Sequence, residues 1–137
     1  MNDTPTPTEL LAAVSRFMRD EVMPVLTGAT AYQARVAANM LDIASRQLAL
    51  APAQDAEELQ RLRTLLDRKV GLAEGNRLLC EHITAGTLTL AIAGLADHLW
   101  QTTLAKLAVD QPSYDTYRRL IHTPNVTPKD TPMAKES

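Results

Sequence analysis

The sequence predicts an all-α fold: a compact four- to five-helix bundle, mostly antiparallel, followed by a disordered C-terminal tail. Three observations predict it. Apolar residues recur three and four positions apart along most of the chain, no stretch alternates apolar with polar as a strand would, and short proline- or glycine-containing segments separate the periodic runs. The helical body is placed at residues 1–122 and the tail at 123–137.

The first helix has a start signal. Thr6 can cap, Pro7 suits the first helical position and Glu9 completes a capping box. Its apolar stripe is Leu10, Leu11, Val14, Phe17, Met18, Val22 and Val25. Pro24 predicts an end or a kink near Met23, and Gly28 closes the connection. A second box, Thr30 with Gln33, opens the next helix, which is expected to run to about Leu50 before Pro52 interrupts it. At ~100° per residue, Tyr32, Val36, Ala37, Met40, Leu41, Ile43, Ala44 and Leu48 cover about half of its circumference, as a central helix would require. Arg35, Ala38, Asn39, Asp42, Ser45 and Arg46 form a polar strip on the other side.

Asp55 with Glu58 can open a third helix with the apolar seam Leu59, Leu62, Leu65 and Leu66, supported by a Glu57–Arg61 pair one turn apart. Arg68 to Gly71 reads as a break. Leu72, Asn76, Leu79 and Ile83 then recur at helical spacing up to Gly86, with Gly75 weakening the run. The last long helix is expected from about Leu90 to Val109, ended by Pro112. Ser113 to Ile121 would add a short turn returning Tyr114, Tyr117 and Ile121 to the bundle. Thr-Pro steps at Pro124, Pro128 and Pro132 mark the tail.

Composition narrows the function classes. In 137 residues, 45% hydrophobic and 22% charged side chains describe ordinary globular material, and the aromatic share of 4% leaves alanine and leucine to build the core. A formal charge of -2 gives no electrostatic reason to bind nucleic acid or an anionic membrane. The longest nearly uncharged stretch, Leu88 to Ala96, is roughly half the ~20 residues a membrane helix requires, and is read as a core helix segment. A single cysteine and an N-terminus without a basic or apolar leader point to the cytoplasm.

Most catalytic chemistry finds no support. His82, His98 and His122 lack the Glu-x-x-His pairing of di-iron bundles, and Asp97 and His98, adjacent in sequence, diverge by about 100° on a helix. No metal or cofactor is therefore expected. Cys80 sits on an apolar helix face without a base, as a buried structural thiol. No catalytic residue is assigned, and the sequence leans away from an enzyme.

Two constellations remain. Arg35, Asn39, Asp42 and Arg46 lie along one edge of the second helix, where a half-buried Asn39 could orient a ligand or a partner loop with Arg35. An ordinary solvated strip is the plainer reading. Lys106 and Asp110, followed by Pro112 and Tyr114, close the last long helix. There Asp110 opposes the helix dipole and calls for a local counterweight, such as Lys106 or an Asx-type turn, with binding as the alternative. The candidate binding residues are thus Arg35, Asn39, Asp42, Lys106, Asp110 and Tyr114.

The segments Ala34-Arg-Val-Ala-Ala-Asn39, continuing through Leu41 and Ile43, and Leu104-Ala-Lys-Leu-Ala-Val-Asp110 with Pro112 and Tyr114, resemble a bacterial family of small helical proteins, domain of unknown function 6285. The resemblance extends from about Thr8 to Arg118 and departs at Thr87 to Ala96, where the family pattern has a more polar loop. It implies genes beside aminoglycoside-phosphotransferase-like kinases and acyl-CoA dehydrogenases, and hence an accessory role; it supplies no catalytic residue. The leading expectation is a protein–protein interaction module that self-associates, as a homodimer for example, or docks on a neighbouring enzyme. The alternative is a bundle binding an acyl-thioester or small molecule, with Arg35, Asn39 and Lys106 at its polar end.

Overall fold

The computed structural model of the chain describes residues 4–122; the tail read above as disordered, 123–137, lies outside the described residues. Among the described residues there are five α-helices and no strand: α1 (Pro7–Phe17), α2 (Gly28–Leu66), α3 (Leu72–Thr84), α4 (Leu95–Asp110) and α5 (Asp115–His122). No helix among them is long and apolar enough to cross a membrane. The chain divides into two compact units, Met1–Asp55 and Ala56–Ser137.

In the first unit the expected capping box forms. Thr6 Oγ1 accepts the Glu9 amide at 3.3 Å, and Glu9 Oε2 accepts the Thr6 amide at 2.7 Å. The carboxylate is held below its ordinary pKa by these bonds to Thr6, the backbone one foremost. Beyond Phe17 the chain keeps turning, first as a π-helical turn over Met18–Val22 and then as a 3-10 turn over Met23–Val25. Pro24 explains the change of pitch. It has no amide to give to the Asp20 carbonyl, and the Met23 amide reaches back five residues to Met18 O. Gly28 follows at φ +60°, a left-handed conformation that suits glycine, with open space where a Cβ would stand.

Helix α2 corrects two expectations. It starts at Gly28, which puts Thr30 inside the first turn rather than at the cap, and it continues through Pro52 to Leu66 as one helix of 39 residues. An interior proline costs about 3 kcal/mol. Ala49, Ala51, Ala53 and Ala56 surround it with the best helix formers, and the division between the two units falls one turn further on.

Small side chains occupy the contact between α1 and the first part of α2. Ala38 (0% exposed), Ala34 and Ser15 are buried. The expected apolar half of α2 is therefore displaced: Tyr32 (67%), Met40 (64%) and Leu48 (53%) are open to solvent, as are Leu10, Val14, Phe17 and Val25 of the first stripe. Alanine and serine allow close backbone approach, and the bulky residues are turned aside.

The second unit holds the larger core. Leu62, Leu79 and Leu95, one each from α2, α3 and α4, bury together with Leu65, Leu72 and Leu88 against them. Gly75 belongs to this core. A Cβ there would stand 3.1 Å from Val70 Cγ2 and 3.2 Å from Leu62 Cδ1, so its lack of a side chain lets α3 approach α2 closely. The break between α2 and α3 is a Schellman-type turn. Asp67 takes φ +46°, the Arg68 amide returns to Arg63 O at 3.3 Å, and Arg63 Nε donates to Val70 O at 3.0 Å.

The Leu88–Ala96 stretch is not the core helix segment expected. The Thr87 amide and hydroxyl both donate to His82 O at 3.0 Å, and a series of turns runs to Gly94 at φ +88°, leaving Leu90 (71%) and Ile92 (43%) exposed. Threonine's side-chain bond to the backbone competes with helix continuation, and Gly94 sets the start of α4 at Leu95 rather than Leu90. In α5, Tyr117 is half-buried, whereas Tyr114 (49%) and Ile121 (51%) stay open instead of returning to the core.

Candidate functional site

Two polar constellations stand out, one in each unit. In the first, Ser15 donates its hydroxyl to Asp42 Oδ1 at 2.5 Å and lies 3.5 Å from Ala38 O. Arg19 completes the cluster: it pairs with Asp42 Oδ2 and donates to Asn39 Oδ1 at 3.2 Å. Asp42 lies well placed as an anion. The Ser15 hydrogen bond, then Arg19 and the charge of Arg46, hold its carboxyl below the ordinary pKa, against a partial desolvation. A carboxylate made this weak a base does not activate Ser15 as a nucleophile, and no histidine stands between them. The cluster is a clasp joining α1 to α2.

The sequence-derived candidates divide accordingly. Asp42 and Asn39 meet, but through Arg19 and Ser15, which sequence reasoning did not single out. Asn39 is exposed rather than half-buried, because the buried line of α2 runs through Ala34 and Ala38. Arg35 is exposed beside it. Lys106 and Asp110 are exposed on α4 and form no ion pair among the described residues; the chain leaves the helix with Gln111 N donating to Leu107 O, and Tyr114 stands on the surface. The signal for Ser15 was present: it interrupts an apolar line of Leu11, Met18 and Val22 at helical spacing.

In the second unit, Asn76 donates to Glu58 Oε1 at 2.6 Å across α3 and α2. Nearby, three enclosed polar atoms find no hydrogen-bond partner: Arg61 Nε, His98 Nδ1 and Thr102 Oγ1. His98 is 1% exposed, and burial first, then the Arg61 charge, lowers its pKa against the opposing pull of Glu58 and Asp97, so the ring is neutral. The expected Glu57–Arg61 pair is not among the ion pairs of the described residues; Arg61 is half-buried instead. Beside Arg61 opens a cavity of about 370 Å³, lined by α2 and by the turn that starts α4. Cys80, expected to be buried, is exposed, since it lies about 100° around α3 from the buried Leu79. No three metal-ligating side chains converge among the described residues.

The family model for a domain of unknown function, DUF6285, matches residues 24–114. The chain belongs to this family. The match takes in α2 to α4 and the whole of the clasp's α2 side, and begins after α1. No curated protein matches the chain, and no solved structure does. DUF6285 membership thus fixes kinship without assigning an activity to either constellation.

Proposed function

We propose that this DUF6285 chain is a non-catalytic interaction module that pairs with a second copy of itself through one apolar edge of its first unit. The observation that carries the reading is the asymmetry of the α1–α2 pair. Arg19, in the π-helical turn that follows α1, and Asn39, Asp42 and Arg46 of α2 share one edge, the α2 residues being related by about 100° per residue. The opposite edge collects Leu10, Val14 and Phe17 from α1 with Ala37, Met40, Ala44 and Leu48 from α2, with Glu21 one turn past Phe17 at its end. Its large members are 48–64% exposed.

A second copy suits this edge better than a partner of other chemistry. The α1 side is bulky and the α2 side is rich in alanine, so a two-fold rotation lays the large residues of one copy over the small residues of the other. Two helical pairs joined in this way bury their apolar stripes as a four-helix arrangement. Taking about 100 Å² per large side chain and half that per alanine, each copy contributes roughly 600 Å², about 1,200 Å² in all, the lower end for a specific interface. Association at that end is reversible and concentration-dependent.

Sedimentation velocity between about 1 and 200 µM tests it, since dimerisation follows mass action. The expected result is a monomer–dimer equilibrium that Phe17→Lys, an exposed position, shifts to monomer with the helical dichroism unchanged. A chain that stays monomeric throughout, or a dimer indifferent to Phe17→Lys, overturns the proposal.

A further inference from the structure

The cavity in the second unit invites a ligand independently of the dimer edge. Its walls are Gln60, Arg61, Thr64 and Leu65 of α2, and Ile92, Ala93, Gly94 and Asp97 at the start of α4. Its volume, about 370 Å³, lies within the range of small-molecule sites. Three features set the chemistry of an occupant. Arg61 is half-buried in the wall with its Nε enclosed, so the outer N–H groups of its guanidinium are what an anionic oxygen in the cavity would meet. Asp97 supplies one negative charge from the α4 side of the lining, which is therefore dipolar and carries no net charge. Leu65, Ile92 and Ala93 add an apolar surface between polar groups.

A doubly charged anion such as phosphate would be drawn to Arg61 and repelled by Asp97. A molecule carrying one carboxylate, one ammonium and a small apolar group meets all three features at once. We propose that this cavity binds a free α-amino acid with an apolar side chain, its carboxylate on Arg61, its ammonium on Asp97 and its side chain against Leu65 and Ile92. Gln60 and Thr64 stand on the same wall and can take the remaining hydrogen bonds of the carboxylate. Gly94 matters for access. Leu65 Cδ2 stands 3.5 Å from where its Cβ would be, so a side chain there would pack into the wall rather than leave it open.

Titration followed by amide NMR tests the assignment, with leucine as the probe and N-acetyl-leucine, leucinamide and inorganic phosphate as comparators. The expected result is saturable movement of the Gly94–Asp97 amides with leucine, and binding at least about tenfold weaker for N-acetyl-leucine, leucinamide and phosphate, one charge contact being worth roughly that factor. Arg61→Gln should abolish the response. Asp97→Asn, at an exposed position, should leave the helical dichroism intact and erase the preference for leucine over N-acetyl-leucine. No saturable shift up to about 20 mM leucine, phosphate or N-acetyl-leucine binding as well as leucine, or an unchanged preference in Asp97→Asn, each overturns the assignment.

Discussion

A double-mutant cycle on Leu62 and Gly75 examines how α3 docks on α2. Leu62 is fully buried at the centre of the leucine cluster, and Leu62→Ala removes a packed side chain at a cost of about 2–5 kcal/mol. Gly75→Ala alone brings two opposed effects. Alanine favours the helix by about 1 kcal/mol over glycine, but its Cβ would stand 3.2 Å from Leu62 Cδ1 and 3.1 Å from Val70 Cγ2, where the neighbours must give way. Overpacking of that kind costs about 1–3 kcal/mol, so the single variant is expected to be destabilised by roughly 0–2 kcal/mol. In the Leu62→Ala background Cδ1 is gone and Leu62's own Cβ position, 3.5 Å away, is an ordinary contact, while Val70 Cγ2 at 3.1 Å stays and is free to shift into the space that Leu62 vacates. There Gly75→Ala should become neutral or stabilising. The cycle therefore predicts a favourable coupling of about 1–2 kcal/mol, read from urea denaturation followed by circular dichroism. Effects that add to within about 0.5 kcal/mol would refute the close approach of the two helices at Gly75.

Two further outcomes follow from the turns and the clasp. Asp67→Gly should raise stability by about 1 kcal/mol and the melting temperature by a few degrees, because the φ of +46° that Asp67 adopts is strained for any side chain and free for glycine. Calorimetry checks this, and a lowered melting temperature would deny the left-handed turn. Asp42 has a folded pKa depressed below the ordinary aspartate value of about 3.8, so its contribution is full above that value and is lost as pH falls through the depressed one. With its side chain 36% exposed, that contribution is held to about 1 kcal/mol or less. The stability difference between the wild type and Asp42→Asn should therefore persist from neutrality to about pH 5 and shrink below about pH 4 in urea titrations; a difference that grows on acidification would contradict the clasp.

Sequence by itself determined the helical class, the Thr6–Glu9 start, the change of course at Pro24, the break after Leu66 and the end of α4 before Pro112. These depend on local physics: a missing amide, a capping side chain, an apolar residue returning every third or fourth position. Pro52 shows where local rules stop, because a proline penalty of fixed size is set against the propensity of surrounding alanines and the sequence shows only the terms. Which face of a helix is buried was decided by tertiary structure. Hydrophobicity pointed to Tyr32 and Met40, but α1 rests on Ala34 and Ala38, where small size matters more than greasiness. The candidate sites follow the same division. Asp42 was legible as a charged residue on a strip, while its partners Ser15 and Arg19 lie more than twenty positions away in sequence. Arg61, His98 and Thr102 read as an ordinary ion-pair member and two helix residues. Only the packing of α2 with α4 encloses their polar atoms without partners, since burial is a property of what surrounds a residue and not of the residue itself.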